Sequence, residues 1–213
     1  MEPSHWPLAD LKIHTPRLEL RYATDRLLDE LVEVAAAGVH DPADMPFYVP
    51  WTERPPGEFE RGFLQYHWHQ RAAWSTDDWD LEFAVLVDGR PVGMQGAFGK
   101  SYPILREVGT GSWLSRPLHR QGIGKEMRSA VLHLAFAGLG AEWAVTEAFD
   151  DNPASHGVTR SLGYADDGEA GVVRRGVRAR MLRFRMSRTH WETIRRRDIE
   201  IDGLDAALPM FGL

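Results

Sequence analysis

The sequence contains no cysteine among its 213 residues. The absence of thiols excludes a disulfide framework, a thiolate zinc site, an iron–sulfur cluster and a cysteine nucleophile. The sequence also has no apolar run long enough to cross a bilayer, and residues 1–10 lack the basic-then-apolar pattern of a secretory signal. These absences predict a soluble, cytoplasmic protein without a membrane partner.

An excess of positive charge is missing as well. The chain has 25 Lys+Arg against 31 Asp+Glu, a net charge of −6, which argues against DNA as the main partner. Its 43% hydrophobic and 26% charged residues are globular proportions, and the length fits one medium domain or two small ones. A small anionic ligand held in a local pocket remains compatible with this charge balance.

Hydrophobic spacing predicts the element order βααβββαβαββ. Alternation over residues 18–22 indicates a first strand, and Thr24 is placed to cap a helix that ends near Ala37. A proline-rich loop then precedes a second helix, and Asp88-Gly89 joins a pair of strands. The later strands are expected near residues 108–114, 142–149, 164–173 and 178–187, and the later helices near 122–138 and 153–162. Hairpins with one βαβ crossover predict a mixed α+β sheet with helices on both faces.

A glycine-spaced turn follows the strand Gly111-Ser112-Trp113-Leu114 and opens a helix, with the sequence Arg120-Gln121-Gly122-Ile123-Gly124-Lys125. The first helical N–H groups lack intrahelical partners, and the helix dipole adds positive charge there. Gly122 and Gly124 allow the main chain to approach a phosphate closely. The turn lacks the ending of a Walker loop and lies too far along the chain for a Rossmann loop. It predicts a pyrophosphate site, although in isolation glycines near a helix start are more often packing or turn residues.

A second motif, Asp151-Asn152-Pro153-Ala154-Ser155, precedes Leu162-Gly163-Tyr164. Asn152 suits a helix cap, Pro153 the first helical position and Gly163 a left-handed stop. On its own, this motif indicates only where a helix begins and ends.

With both motifs present, the sequence resembles the GNAT superfamily of acyl-CoA-dependent N-acyltransferases. The resemblance runs from Thr15-Pro16-Arg17-Leu18 to about Met186, and Asn152 and Ser155 followed by Leu-Gly-Tyr resemble the ribosomal-protein-alanine acetyltransferase branch. It implies a mostly antiparallel twisted sheet of about seven strands, splayed between the fourth and fifth. Residues 1–187 would form the acyltransferase domain. Residues 188–213 would form an extension docked on that domain or on a dimer partner.

Further segments resemble actinobacterial GNATs that include a succinyl-CoA-dependent member. These are His5-Trp6-Pro7-Leu8, Val39-His40-Asp41-Pro42, Met45-Pro46-Phe47 and the tail Asp202-Gly203-Leu204. This likeness keeps both acetyl-CoA and succinyl-CoA as acyl donors.

The resemblance also implies roles for individual residues. The turn would cradle the coenzyme A pyrophosphate, Asn152 would contact pantetheine, and Ser155 would protonate the leaving thiolate. The implied coenzyme-binding residues are Trp113, Leu114, Arg120, Gln121, Gly122, Ile123, Gly124, Lys125, Asn152 and Ser155. His119 stands where the family has glutamine or arginine, so no side-chain contact is carried over to it.

The general base and the acceptor pocket are less well defined. Glu107 and Glu147 are candidate bases because they lie on the strands that should flank the site. Deprotonating a lysine amine at neutral pH costs roughly 4–5 kcal/mol and an α-amine roughly 1, so a relayed water would suffice for the latter. By family position, His40, Met45, Phe47 and Trp51 would line the acceptor or acyl pocket, with a packed surface loop as the alternative. No metal is expected, because His67 and His69 point to different sides of a helix.

The sequence thus predicts an N-acyltransferase that moves an acetyl or succinyl group from coenzyme A to a primary amine. The acceptor is left open among a protein N-terminus, a lysine, an aminoglycoside and a polyamine. A non-catalytic acyl-CoA sensor is the main alternative, and an RNA-binding module that uses the arginine run 174–180 is a third. The apolar tail is expected to dock on its own domain or to form a homodimer.

Overall fold

A mixed nine-stranded sheet forms the centre of the protein, whose structure is a computed structural model that describes residues 5–213. In chain order the strands are β1 (Lys12–His14), β2 (Glu19–Tyr22), β3 (Asp78–Val87), β4 (Arg90–Lys100), β5 (Glu107–Leu114), β6 (Trp143–Phe149), β7 (Ala165–Arg174), β8 (Val177–Ser187) and β9 (Glu200–Asp202). Their spatial order is β7-β8-β6-β5-β4-β3-β2-β1-β9. Adjacent strands are antiparallel except β5 and β6, which are parallel.

The helices are α1 (Asp25–Ala36), α2 (Glu58–Ala72), α3 (Tyr102–Leu105), α4 (Ile123–His133), α5 (Pro153–Ser161), α6 (Arg188–Ile194) and α7 (Leu204–Ala207). A π-helical turn extends α4 from Leu134 to Gly138. Within residues 5–213, no helix combines the length and the apolar character that crossing a bilayer requires.

The sheet has two different faces, each with its own hydrophobic core. Leu81 and Phe83 of β3 pack on one side with Met127 and Val131 of α4, which we call the α4 face. On the other side, Ala84 and Leu86 pack with residues of α1 and α2, which we call the α2 face. Because strand side chains alternate between faces, this assignment fixes which side every residue of β3, β4 and β5 points to.

The predicted mixed α+β fold is confirmed, but the strand count of about seven is wrong. The sheet gains β1 and β9, which pair with each other through Ile13 and Ile201. Strands of three residues are too short for alternation to reveal them. Because β1 precedes the first predicted strand, the predicted fourth and fifth strands are β5 and β6 of the structure. The predicted splay is therefore expected between β5 and β6.

The C-terminal residues pack on their own chain. Trp191 of α6 is 3% exposed, and Phe211 is fully buried with its ring centroid 4.9 Å from that of Trp79. The apolar end of the tail therefore fills a place in the main core.

Candidate active site

β5 and β6 separate part of the way along their length. Their pairing comprises Glu107 with Trp143, Val108 with Ala144, and Gly109 with Val145, yet the strands continue to Leu114 and Phe149. Gly111 and Ser112 are exposed, although β5 is an inner strand. The two strands therefore border a V-shaped cleft that opens toward their carboxyl ends.

Main-chain groups of β5 face into this cleft at alternate residues. The carbonyl of Thr110 accepts a hydrogen bond from the Thr146 hydroxyl (3.0 Å), and the carbonyl of Leu114 lies 2.9 Å from Nε2 of His119. The next residue along, Ser115, instead donates its N–H to the carbonyl of Val92 on β4 (2.9 Å). Alternation then directs the N–H groups of Ser112 and Leu114 toward the cleft and that of Trp113 toward β4.

The bare N-terminus of α4 follows β5 at the open end of the cleft. Gly122 precedes the helix with φ +79°, and no described side chain caps it. The first helical hydrogen bond runs from the N–H of Glu126 to the carbonyl of Gly122 (3.1 Å), so the three preceding N–H groups point out of the helix end. This arrangement suits a phosphate group.

Glu126 fixes that helix end to the N-terminal part of the chain. Its carboxylate is 5% exposed and accepts hydrogen bonds from the Thr15 hydroxyl (2.7 Å) and from Arg17 Nε (2.6 Å). Burial acts to raise the pKa of Glu126, but these hydrogen bonds outweigh it and hold the pKa below its ordinary value. Arg17 also donates to the carbonyl of Gln121 (3.0 Å), so one cation supports both the helix and the turn. Sequence reasoning did not assign a role to Arg17 or Glu126.

Several predicted phosphate ligands use their side chains within the protein. Gln121 donates to the carbonyl of Pro117 (2.8 Å), and Lys125 donates to the carbonyl of Ser161 (3.1 Å). Arg120 is exposed and has φ +60°. A Cβ atom added at Gly124 would lie 3.5 Å from Cγ2 of Val158, so this glycine lets α4 and α5 approach closely. The main-chain N–H groups are thus the better placed anion ligands.

Arg128 lies beneath the cleft on the α4 face and is 4% exposed. It donates to the hydroxyl of Thr146 on β6 (3.2 Å) and to that of Ser112 on β5 (3.4 Å). Among residues 5–213 its Nε has no hydrogen-bond partner, and no carboxylate forms an ion pair with it. A buried cation without a counter-charge is costly, so a ligand with carbonyl or anionic oxygens in the cleft would be well matched to it.

The start of α5 lies at the end of β6. Asn152 caps the helix by accepting a hydrogen bond from the N–H of Ser155 (3.1 Å), and His156 Nε2 lies 2.8 Å from the carbonyl of Phe149. Ser155 is half-buried, and its hydroxyl makes no hydrogen bond within residues 5–213. The cap therefore leaves both the amide nitrogen of Asn152 and the hydroxyl of Ser155 available to a ligand.

The proline-rich loop packs against β5 on the α2 face. Ring centroids of Phe47 and Trp51 are 5.0 Å apart, and those of Trp51 and Trp113 are 6.0 Å apart. His40 is held by Thr52 through Nε2 (2.8 Å), and Met45 is buried. The four predicted pocket residues thus belong to one loop that reaches the cleft through Trp113.

Arg174 from the turn of the β7–β8 hairpin ties this loop down. It donates to the carbonyl of Met45 (3.0 Å) and to Asp151 (2.9 Å), and it stacks 4.1 Å over Phe149. Its neighbour Arg175 pairs with Glu53. Much of the arginine run is therefore engaged by acidic side chains of the same chain.

The two predicted bases occupy different places. Glu107 lies where β5 and β6 are still paired and forms an ion pair with Arg185 (3.4 Å). Glu147 lies two residues beyond the last residue of β6 that pairs with β5, on the α2 face beside the cleft, and is exposed. The structure therefore brings Glu147, but not Glu107, to the open part of the cleft.

Sequence reasoning missed two other carboxylates on the α2 face. Burial, chiefly, raises the pKa of Asp80 to about 6, and burial with the nearby charge of Asp80 raises the pKa of Glu82 well above its ordinary value. In the sequence, Asp80 and Glu82 alternate with the apolar residues Leu81 and Phe83. This pattern is typical of a strand with one face in solvent, so it did not indicate two partly buried carboxylates. Within residues 5–213 no three His, Cys, Asp or Glu residues are grouped to hold a metal ion.

A mixed sheet split beside a bare helix N-terminus agrees with the GNAT class of acetyltransferases that the sequence resembles. The family model described as "Acetyltransferase (GNAT) domain" matches residues 17–165, and the chain belongs to this family. The GNAT fold and its implied use of an acyl-CoA thioester are thereby confirmed at the level of the family.

Solved structures with the same fold include RimL, the ribosomal L7/L12 alpha-N-protein acetyltransferase, in complex with coenzyme A. It is 17% identical with a TM-score of 0.64, over 81% of this chain and 95% of that one. A GCN5-related N-acetyltransferase from Brucella melitensis is 19% identical with a TM-score of 0.67, over 86% and 81% of the two chains. A probable GNAT-family acetyltransferase from Chromobacterium violaceum is 18% identical with a TM-score of 0.67, over 84% and 92%. At these identities the likeness shows a shared fold.

Proposed function

We propose that this protein moves an acetyl or succinyl group from coenzyme A to a primary amine by direct transfer. The observation that carries the proposal is the cleft between β5 and β6, which ends at the unbonded N–H groups before Glu126. The orphaned Nε of Arg128 and the free hydroxyl of Ser155 also match a long polar ligand that lies in this cleft. The acceptor amine is a small molecule or a protein amine.

Each residue has a task that its position supports. The N–H groups at Ile123 to Lys125 bind the pyrophosphate, and Asn152 bonds to the pantetheine arm. The N–H of Leu114, which faces the cleft, polarises the thioester carbonyl and stabilises the negative charge that develops on its oxygen. Ser155 donates a proton to the leaving thiolate.

Arg128 bears on the choice between the two donors. A succinyl group ends in a carboxylate, and a guanidinium without a counter-charge at the base of the cleft is a suitable partner for it. An acetyl group would leave Arg128 to the carbonyl oxygens of the pantetheine arm. We therefore retain succinyl-CoA beside acetyl-CoA as a proposed donor. We also propose that the protein is related to the actinobacterial GNATs that include a succinyl-CoA-dependent member.

Mass spectrometry of the purified protein under native conditions, followed by thermal shift with coenzyme A, acetyl-CoA and succinyl-CoA, tests the proposal. We expect stabilisation by at least one thioester and release of free thiol when amines are added. Tight binding without thiol release for any amine would favour the sensor instead. No stabilisation by any of the three ligands would contradict the assignment of the cleft.

A further inference from the structure

We propose that Glu82 of β3 is the general base of the reaction, and that the acceptor is an ammonium ion that approaches from the α2 face. The inference rests on the proposed function and adds the proton acceptor and the charge of the acceptor to it. Glu107 lies where β5 and β6 are still paired and is bound to Arg185, and Glu147 is exposed to solvent, so neither combines a place beside the cleft with burial.

Two glycines clear a path between Glu82 and the cleft. Glu82 pairs with Gly96 on β4, which pairs with Gly111 on β5, so all three residues point to the α2 face. A Cβ atom on Gly96 would lie 3.0 Å from Oε1 of Glu82, which means that the carboxylate rests directly on this glycine. A Cβ atom on Gly111 would meet nothing within 4 Å.

These contacts place the carboxylate within reach of the reaction. Adjacent strands lie about 4.8 Å apart, so the space above Gly111 is roughly one strand spacing from the Glu82 carboxylate. The cleft begins on the far side of Gly111, after the last β5–β6 pair at Gly109. One water molecule can bridge this distance, and a general base acts effectively through one water.

The Glu82 carboxyl group has no cationic partner within residues 5–213. It forms no hydrogen bond or ion pair there, although the residue is half-buried. One oxygen of the neighbouring Asp80, Oδ1, is also buried and without a partner, while Oδ2 accepts from Gln70 (2.8 Å). Two carboxylates without a cation form a binding place for an ammonium group.

The surroundings favour proton uptake by Glu82. Asp80 on its own strand and Tyr66 on α2 interact electrostatically with it, and His67 is the next residue of α2. Burial, followed by the charges of Glu82 and Asp80, raises the pKa of Tyr66, and burial lowers the pKa of His67 to about 3, so both are neutral at pH 7. β4 and β5 contribute glycines at the adjoining positions. A carboxylate with a raised pKa is a stronger base than one at its ordinary value.

The protons balance along this route. The ammonium ion gives one proton through water to Glu82, and the neutral nitrogen forms a bond to the thioester carbonyl carbon. The carbon–sulfur bond then breaks, the nitrogen gives up its second proton, and the thiolate takes one from Ser155, which that second proton replenishes. The products are the amide, free coenzyme A and protonated Glu82, which returns its proton to solvent.

Glu82→Gln tests the proposal without knowledge of the natural acceptor. A thermal shift with 1,5-diaminopentane, and with uncharged 1,5-pentanediol as the comparison ligand, measures ammonium binding. We expect the diamine alone to stabilise the native protein and the shift to disappear in Glu82→Gln, but not in Glu200→Gln on the distant β9 strand. Without ligand at pH 8, Glu82→Gln should melt higher than the native protein, because a carboxylate that is costly to ionise has been removed.

Kinetics provide the second measurement. With acyl-CoA and the best amine of a panel, Glu82→Gln should lower kcat/KM about 100-fold and should remove the rise of log kcat/KM with pH at its acidic end. An unchanged pH profile, or a diamine shift that persists in Glu82→Gln, would overturn the inference. A lower melting temperature for this variant would also count against it. If no acyl-CoA binds but the diamine shift depends on Glu82, the proposed function fails and the ammonium site remains.

Discussion

At the scale of single residues, the hydroxyl of Ser155 is available to a ligand because Asn152 caps α5 with its own side chain. Ser155→Ala should reduce turnover at least tenfold, since the thiolate would lose its proton donor, and should leave acyl-CoA affinity within about twofold. Thiol-release kinetics and calorimetric titration measure the two quantities. Ser161→Ala, on the same helix, is the control, because its hydroxyl only bonds to the carbonyl of Val158. Equal loss of affinity and turnover would mean that Ser155 binds and does not act as an acid.

Glu126 is a second residue whose substitution has a clear expected effect. Its pKa is lower in the folded protein than in the unfolded chain, so its stabilisation is present above the unfolded pKa and is lost as pH falls through the folded value. Glu126→Gln should lower the free energy of unfolding by about 2 kcal/mol at pH 7 and by much less near pH 3. Urea titrations at both pH values test this.

The matched control for Glu126 is Glu19→Gln, which removes an ion pair with Arg21 in which the carboxylate is more exposed, at 23% against 5% for Glu126. We expect that change to cost less than about 1 kcal/mol, as surface pairs usually do. Equal costs for the two substitutions would show that the Arg17–Glu126 contact does not hold the helix end.

Sequence reasoning succeeded for structural features that depend on a local motif. The helix cap at Asn152 and the turn at Gly122 were predicted, because caps and turn glycines act within a few positions of themselves. Arg17 and the proposed base Glu82 were not, because the residues that they contact lie on other elements: Arg17 and Glu126 are separated by 109 positions, and Glu82 lies against Gly96 of the next strand. No pattern within a strand shows that the opposite residues are glycines.

At the scale of elements, the N-terminus of α4 is open to test. Gly124→Asp places a carboxylate in the first turn of the helix, where it would compete with the pyrophosphate for the N–H groups. An added Cβ makes only ordinary contact with Val158 at 3.5 Å, so the fold should tolerate the change. We expect acyl-CoA affinity to fall at least about tenfold by calorimetry. Ser129→Asp, further along α4, is the control, and a similar loss there would point to a general charge effect.

The predicted elements agree with the structure where periodicity extends over many residues. The strand Glu107–Leu114, the helix Ile123–His133 and the hairpin β7–β8 all appear near their predicted positions. β1, β9, α3 and α7 are too short to carry a period, and their formation depends on tertiary contacts such as Ile13 with Ile201. The separation of β5 from β6 came from the family resemblance, since no feature of either strand alone encodes it.

At the scale of the whole molecule, the C-terminal tail contributes to the main core. Phe211 is fully buried between Trp74 and Trp79. Phe211→Ala should lower the free energy of unfolding by about 3–5 kcal/mol in urea titrations, because it leaves a cavity among aromatic rings. Leu213→Ala, at 38% exposed, should cost less than about 1 kcal/mol. Comparable effects would mean that the tail is bound loosely.

The homodimer stays a prediction. The apolar tail was its main reason, and the tail already packs against its own chain through Phe211 and Ile201. Light scattering at micromolar concentration distinguishes the two states, and a purely monomeric population would reject the dimer.

The contact between Arg17 and Glu126 has a consequence for the order in which the protein folds during synthesis. On the ribosome, Arg17 emerges long before Glu126, and such widely separated contacts form late because a large loop must close first. The nascent protein can therefore build the β3–β4 hairpin well before it can hold a nucleotide. Protection of the chain from protease by coenzyme A, sampled during refolding from urea, would then mark the completion of folding.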